Sequence, residues 1–422
     1  MPDQIAEKGH RNFTNISRRI LWQTVICLGF IGVAHSADND VLIVGGEGNN
    51  CIEDPGCINR LHPDIPMAAR AKPGQTILFR TRDSGDWLGT VSAQTTEPET
   101  SSGNFGAVHP MAGPVHIEGA EVGDVLKVTL LNIDPGKYAY TYGGGGGFVP
   151  DLVEGQFLTI WRLNRDYAES DNIPGVRIPN SSFPGVISTL PGPNQLRIML
   201  EREQELANAG GQVSLPSPDG ASPEEICGPN GSAPNECLRT IPPREHGGNM
   251  DIRYLQAGVS IYLPCFVEGC GLTIGDLHYA QGDGEVSGTA IEMSANVWAT
   301  TEIIKDGPDL SRGPHYEGSS RLLEIPSRRF YAVTGIPVKE PGEVPPDMQY
   351  LNSDVVAGLS NLSNDINLAA RNAIDGIIDY IVTTYGYTRN QAYVIASVAV
   401  DLRISQLVDS PNVGVTAVLP LD

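Results

Sequence analysis

The stretch Val125-Leu126-Lys127-Val128-Thr129-Leu130-Leu131 decides the fold class, because apolar and polar side chains alternate along much of it. Successive side chains of a strand point to opposite faces of a sheet, so this pattern predicts a half-buried strand. Comparable stretches lie at residues 76–82, 259–263 and 289–293. The chain also holds 48 glycines and 32 prolines in 422 residues, a composition that favours short strands joined by turns. We therefore predict a mainly β body.

The C-terminal part has a different period. Thr388-Arg389-Asn390-Gln391 has the pattern of a capping box, which predicts a helix that begins there and runs through Ala396 and Val400. Between Asp354 and Tyr385 apolar residues recur at helical spacing, and they are Leu359, Leu362, Ile366, Ala370, Ala373, Ile377 and Ile381. The predicted fold class is therefore α+β, mainly β with C-terminal helices.

Residues 1–36 have the pattern of a signal peptide. Basic residues at 11–19 precede an apolar run, Ile20–Val33, and residues 34–36 form a small-x-small cleavage site. The run is shorter than the roughly 20 residues that span a bilayer, and a buried N-terminal helix is the alternative. Residues 17–21 also resemble a twin-arginine signal, so Sec and twin-arginine export both stay open. We expect a periplasmic or secreted protein whose mature form begins near Ala37.

Charge and cysteine usage limit the partners and the compartment. A net charge of −22 repels nucleic acid and anionic lipid, so we expect neither as a partner, and no stable membrane insertion after signal removal. We also expect a homo-oligomer, a dimer or higher.

Removal of Cys27 with the signal leaves six cysteines in three local pairs, which favours disulfides over a zinc site because no Cys-x-x-Cys is present. Connectivity is not fixed by spacing, but each adjacent pair brackets a short turn-rich stretch, and the predicted pairs are Cys51–Cys57, Cys227–Cys237 and Cys265–Cys270.

One catalytic domain is expected over residues 37–422, with a helical part at 353–408. Gly143–Gly147 is a run of five glycines that cannot pack side chains, and it is expected to form a loop. Residues 206–248 are rich in Gly, Pro, Ser and Asn, and Cys227–Cys237 would staple them. A loop of this length in a compact domain usually covers a site or an interface.

Candidate metal ligands lie between Gly247 and Glu285. Asp276 and His278 are two residues apart, which on a strand places both side chains on one face. A carboxylate and an imidazole on one face suit a divalent metal, and Asp251 follows a glycine turn that could bring a second carboxylate. The alternative for Asp276 and His278 is a hydrogen-bonded surface pair.

Other polar residues have two interpretations each. Asp283 lies between Gly282 and Gly284 and either forms a hairpin turn or carries a ligand. Glu118 follows an apolar stretch and is either a solvent-facing strand residue or a buried base with a raised pKa. His109, His116 and His246 more often satisfy backbone groups than bind metal.

The chain resembles the acetamidase/formamidase family from about Thr76 to its end. The similarity is carried by ordered motifs, which are Gly113-Pro114, Glu118-Gly119-Ala120-Glu121, Gly247-Gly248-Asn249-Met250-Asp251, Gly275-Asp276 through Glu285, Gly288 through Glu292, and Asp401 through Gln406. The resemblance implies a β-rich body, a sandwich or barrel, and hydrolysis of formamide, acetamide or related amides, lactams included. It also implies a divalent metal. Cys265 and Cys270 and the export signal depart from the family pattern.

The predicted mechanism is metal-assisted amide hydrolysis by a metal-activated water. The metal is expected to be zinc, with calcium as the alternative, held by Asp251, Asp276 and His278. Glu118 is assigned as the catalytic base, and Asp83, beside a strand end, is expected to orient the site.

Substrate binding is assigned to Asn249 and Asp283, inside the same family-like runs. One alternative is an amidase for a larger amide or a lactam, and another is an inactive periplasmic binding protein. A cysteine-nucleophile amidase is a further rival, but it needs a free thiolate, which paired cysteines would not supply.

Overall fold

The computed structural model describes residues 41–87, 105–144, 146–211, 213–325, 327–339, 342, 357–358, 365–408 and 413–421. The predicted signal peptide and Ala37 lie outside these residues. So do Leu359 and Leu362 of the predicted first C-terminal helix.

Strands form most of the ordered structure. They are β1 Leu42–Val44, β2 Cys57–Ile58, β3 Arg60–Leu61, β4 Ala69–Ala71, β5 Ile77–Arg80, β6 Met111–Ile117, β7 Val125–Gly143, β8 Phe157–Leu163, β9 Tyr167–Glu169, β10 Arg177–Pro179, β11 Phe183–Ser188, β12 Leu238–Arg239, β13 Gly247–Asn249, β14 Ser260–Pro264, β15 Cys270–His278, β16 Glu292–Ile304, β17 His315–Glu317, β18 Phe330–Gly335, β19 Asp401–Gln406 and β20 Gly414–Pro420. The α-helices are α1 Pro193–Asn208, α2 Glu224–Cys227, α3 Ile366–Tyr385 and α4 Arg389–Ala399. The predicted fold class, mainly β with C-terminal helices, is confirmed.

One branched sheet of fifteen strands forms the body. Its centre is the antiparallel pair of β7 and β16, and β7 also pairs with β8 and β14 along other parts of its length. The stretch at 125–131 is the beginning of β7, so the strand predicted there is confirmed. At 289–293 the strand begins only at Glu292, whose Oε1 accepts the Ala290 N–H.

Strand β15 carries the predicted ligands Asp276 and His278 into the interior. It pairs with β6, β11 and β16, and all nine of its residues are buried. Because the strand has neighbours on both edges and is covered on both faces, polar side chains at its end need partners inside the protein or a bound ligand.

The two C-terminal helices pack on the body and share its core. Thr388 and Gln391 form the predicted capping box at the start of α4, and α3 packs against β18 and β20. Ile377 of α3 and Tyr393 of α4 are buried in the same apolar cluster as Trp161 and Phe183 of the sheet. No described helix is long and apolar enough to cross a membrane.

The predicted helical part at 353–408 extends too far. After α4 the chain becomes extended at Val400, and residues 401–406 form β19, which pairs with β20. The Asp401 side chain, at the start of β19, accepts a hydrogen bond from Arg253. This contact between residues far apart in the chain holds the start of the strand, and the local sequence gives no sign of it.

The segment at 206–248 is more structured than the predicted loop. It contains the end of α1, the short helix α2 and strands β12 and β13. Cys227 and Cys237 close its middle, as predicted. The other two bridges, Cys51–Cys57 and Cys265–Cys270, also have the predicted pairing.

Candidate active site

Five ionisable side chains converge at the end of β15, one imidazole and four carboxylates. β15 supplies two of them, the turn after β13 and the loop after β15 supply one each, and the first residue of β16 supplies the last. The set, called here the acidic cluster, is Asp251, Asp276, His278, Glu285 and Glu292.

His278 is the common member of the cluster. Its Nε2 lies 3.5 Å from Asp276 Oδ2 and 3.3 Å from Glu292 Oε2. Two groups have donor atoms that all lie within 4.8 Å of one another, and they are Asp251, Asp276 and His278, and His278, Glu285 and Glu292. Either group has the ligand types of a divalent metal site.

The cluster is largely buried and poorly satisfied within the described part of the chain. Asp276, His278 and Glu292 are each at most 3% exposed. Four atoms are buried without a hydrogen-bond partner, namely Asp251 Oδ1, Asp276 Oδ1, His278 Nε2 and Glu292 Oε2. Burying a carboxylate without a partner is costly, so this donor set fits a cation at the point where these atoms meet.

Gln281 fixes the orientation of His278. The Gln281 side chain donates from Nε2 to the carbonyl oxygen of Asp251 at 3.0 Å, which orients its amide. Its Oε1 therefore accepts from Nδ1 of His278, at 2.8 Å. That bond leaves the Nε2 lone pair directed at the carboxylates, which is the arrangement of a metal-binding histidine with its supporting partner.

The pKa values of the carboxylates in the cluster are shifted in opposite directions. Burial raises the pKa of Asp251 to about 7. Burial and the neighbouring Asp251 charge raise the pKa of Glu285 well above its usual value. The Asp276 pKa is lowered, because the nearby His109 and His278 outweigh its burial. Burial lowers the His278 pKa but the charges of Glu292 and Asp276 raise it more. A proton and a cation would thus compete for His278 Nε2.

Gly185 on β11 makes room for the cluster. A Cβ built on it would lie 2.7 Å from Asp251 Oδ1, from Asp276 Oδ2 and from His278 Cε1. The Gly185 carbonyl also accepts from the N–H groups of Met250 and Asp251, so the same residue places the Asp251 backbone. Asp251 and Asp276 both have positive φ, at 49° and 53°, which aspartate tolerates better than most residues.

Aromatic rings form a wall beside the cluster. Tyr140 lies opposite Glu292 in the β7–β16 pair, so both side chains are on one face of the sheet. The Trp87 ring centroid is 4.6 Å from that of Tyr140 and 6.0 Å from that of Tyr142. The Tyr140 hydroxyl is 2.7 Å from Ser84 Oγ. We call Trp87, Tyr140 and Tyr142 the aromatic wall.

Asp83 supports this wall. Its carboxylate accepts from the N–H groups of Gly85 and Trp87 at 3.0–3.1 Å and closes the turn that presents Trp87. Burial raises the Asp83 pKa to about 6. The predicted orienting residue thus contacts the backbone of the wall rather than a member of the cluster.

The structure brings together the three predicted metal ligands but separates the other assignments. Asn249 donates to the Ile241 carbonyl, and its Oδ1 is buried without a partner among the described residues. Asp283 accepts from the Tyr254 hydroxyl at 2.6 Å, and its N–H donates to Asp401, so its contacts are with the start of β19. Substrate binding by Asn249 and Asp283 stays a prediction.

The assignment of Glu118 as base requires correction. In the β6–β15 pair, Met111 lies opposite Gly275 and His116 lies opposite Cys270. Glu118 therefore follows the end of β6 that is remote from Asp276, and it is exposed. The solvent-facing interpretation is the one the structure favours.

Sequence reasoning left Glu285 and Glu292 without a role and set His109 aside. Glu285 ends the family-like run that begins at Gly275-Asp276, and its place in that run is the signal that could have identified it. Glu292 is the first residue of β16, where only the β7–β15–β16 pairing brings it to the cluster. His109 Nε2 lies 3.9 Å from Asp276 Oδ2, whereas His246 is bound to Ser188 in the core.

Comparisons with known proteins agree with this architecture. A model of the Acetamidase/Formamidase family matches residues 48–422. The chain is 32% identical to an acetamidase of Mycolicibacterium smegmatis, over 80% of this chain and 84% of that protein. It is 32% identical to a formamidase of Methylophilus methylotrophus, over 86% and 88%. The solved γ-lactamase from Delftia acidovorans matches with a TM-score of 0.73 and 31% identity, covering 88% of this chain and 90% of that chain.

Fold, site and relatives define a hydrolase that acts on carbon–nitrogen bonds other than peptide bonds, as predicted. The chain belongs to the acetamidase/formamidase family, and the resemblance of its motifs is confirmed.

We expect Gly185→Ala to weaken binding of a divalent cation by about 10- to 100-fold, because the added methyl would push Asp251 and Asp276 apart at a cost of about 1–3 kcal/mol. Elemental analysis after dialysis against graded metal concentrations measures this, with circular dichroism as the check of folding. Gly146→Ala is the matched control, since nothing lies within 4 Å of a Cβ there. A Gly185→Ala protein that holds metal as tightly as the parent would show that the cluster is not the cation site.

Proposed function

We propose that the protein hydrolyses small linear amides, of the formamide and acetamide type, to a carboxylate and ammonia. The observation that carries the proposal is a set of four buried oxygen and nitrogen atoms in the acidic cluster. These atoms could bind a cation, and they have no hydrogen-bond partner among the described residues. The names of the two relatives, an acetamidase and a formamidase, support the substrate class.

Asp251, Asp276 and His278 would hold a divalent cation. In this group each residue offers a buried atom without a hydrogen-bond partner among the described residues. Glu285 offers no such atom and shares a hydrogen bond with Asp251. Zinc suits a site with one imidazole, and calcium is the alternative if more carboxylates join. When bound, the cation would polarise the amide carbonyl and lower the pKa of a water.

Glu292 is the residue best placed to move protons. Its Oε1 is fixed by the Ala290 N–H at 2.8 Å, whereas its Oε2 faces His278 Nε2 at 3.3 Å. In the proposed reaction Glu292 takes a proton from the attacking water as the new C–O bond forms. It then gives that proton to the amide nitrogen, which leaves as ammonia when the C–N bond breaks. Gln281 keeps His278 in position throughout.

Ammonia release from formamide, acetamide and longer amides tests this function. We expect the purified protein to release ammonia, and we expect prolonged dialysis against chelator to lower the rate by at least tenfold until metal is restored. Unchanged activity in protein shown by elemental analysis to be metal-free would remove the cation from the proposal. Metal-loaded protein that releases no ammonia from any amide would instead indicate an inactive binding protein.

We expect Glu292→Gln to lower kcat by about 10²- to 10⁴-fold, because the amide side chain keeps the shape but cannot accept the proton. Metal content should remain near that of the parent. Glu118→Gln is the matched control, since Glu118 is exposed and lies beyond the remote end of β6, and it should leave kcat unchanged. The reverse pattern, with Glu118→Gln inactive and Glu292→Gln active, would restore Glu118 as the base.

A second candidate substrate, a larger amide or a lactam, is favoured by the aromatic wall. Formamide and acetamide offer little surface to three rings, whereas a cyclic or branched amide can stack on them. The similarity to a γ-lactamase points the same way.

Trp87→Ala should distinguish the two substrate classes. If the wall binds the substrate body, kcat/KM for a γ-lactam should fall by about tenfold or more, while kcat/KM for formamide changes less than threefold. An equal fall for both substrates would mean that Trp87 only maintains the local fold.

We further propose that the mature protein is exported to the periplasm or secreted, from the signal pattern before Ala37 and from the three disulfides. Intact mass of the exported protein tests this, and a retained N-terminus on exported protein would refute the cleavage site.

A further inference from the structure

A cavity of about 540 Å³ lies where β10 and the segment after it meet the C-terminal elements. Helices α3 and α4, the end of β20 and the 3-10 turn Ser320–Leu323 contribute to its walls. We propose that this cavity is a second binding site, separate from the acidic cluster, for a small organic carboxylate with an apolar body.

The size and lining of the cavity describe the apolar part of this ligand. Cavities of several hundred Å³ suit molecules much larger than formamide or acetamide. The wall is mainly aliphatic, with aromatic rings at one side, and its apolar residues include Ile178, Ile381, Ile395, Val398, Leu419 and Tyr385.

The charged groups of the lining indicate an anion. Three arginines line the cavity, Arg177, Arg253 and Arg321, against one carboxylate, Glu324. Two of these arginines are paired with acidic residues outside the lining, Arg177 with Glu169 and Arg253 with Asp401, so Arg321 is the lining arginine that has no ion pair among the described residues. The Arg253 Nε is also buried without a hydrogen-bond partner in the described structure. A guanidinium fork matches a carboxylate in two parallel hydrogen bonds.

The cavity adjoins the support of the active site. Gln281 lines it and at the same time holds His278 Nδ1 and the Asp251 carbonyl. Arg253 also lines it and donates to Asp401, which accepts the Asp283 N–H from the loop that carries Glu285. A ligand in the cavity therefore contacts two residues that position members of the cluster, and its occupancy should change kcat.

Isothermal titration calorimetry of the mature protein with 4-phenylbutyrate tests the site, with 4-phenylbutan-1-ol as the neutral probe of equal length. We expect the carboxylate to bind and the alcohol to bind at least tenfold more weakly. Arg321→Ala should weaken carboxylate binding about tenfold, and Ala399→Phe should abolish it by filling the cavity. Arg312→Ala, at an exposed arginine outside the lining, is the control and should bind as the parent does.

Two results of the titration would overturn the proposed ligand class. No carboxylate binding to the parent protein, or equal binding of the alcohol, overturns the proposed ligand class. If Arg321→Ala and a folded Ala399→Phe both bind the carboxylate as the parent does, the binding site lies outside this cavity.

Kinetics separates a second site from the substrate site. With acetamide as substrate, 4-phenylbutyrate should lower or raise kcat with little change in KM, and purely competitive behaviour would overturn the second site. Calorimetry needs no turnover, so a protein that proves inactive on every amide would defeat the proposed function and leave the binding test intact.

Discussion

The structure depends on holding four carboxylates and one imidazole close together at the end of β15, with Asp276, His278 and Glu292 fully buried. Buried carboxylates repel one another and are costly without a partner, yet four donor atoms of the cluster have none among the described residues. Packing and hydrogen bonds from neighbouring residues hold these five side chains in place. Gly185 leaves the space, Gln281 fixes the imidazole, and backbone N–H groups hold one oxygen of Glu292 and the turn at Asp251.

The C-terminal helices complete that constraint. The loop after β15 carries Glu285 and is held by α4 and β19, whose Leu402 N–H donates to the Asp283 carbonyl. The Gly282 N–H donates to the Ser397 carbonyl, and the Ser287 N–H donates to Ser397 Oγ. A Cβ at Gly282 would meet Val400 O at 2.1 Å, which shows how closely the loop lies on the end of α4. Helices that are late in the chain thus belong to the active-site scaffold.

Local pattern predicted much of this, and long-range pairing explains the rest. The period-2 spacing of Asp276 and His278 predicted their convergence, and the capping box predicted the start of α4. Glu118 was wrong because sequence does not show which end of β6 lies beside Asp276. Glu292 was missed as a member of the cluster for the same reason, since only the pairing of β16 with β7 and β15 brings it there. Residues 401–406 were placed in a helical part because the Arg253–Asp401 contact and the pairing with β20 are invisible locally.

The disulfides stabilise parts of the chain that the cluster does not. Cys265–Cys270 closes the turn that leads into β15, at the end of the strand remote from Asp276. Cys51–Cys57 and Cys227–Cys237 tie two segments that meet at Ser222, whose hydroxyl is within hydrogen-bonding distance of the carbonyls of Cys51 and Cys57. Bridges over such short loops constrain local structure more than the whole chain. The bridges therefore constrain three local segments, and the contacts of Gly185 and Gln281 that support the acidic cluster involve none of the six bridged cysteines.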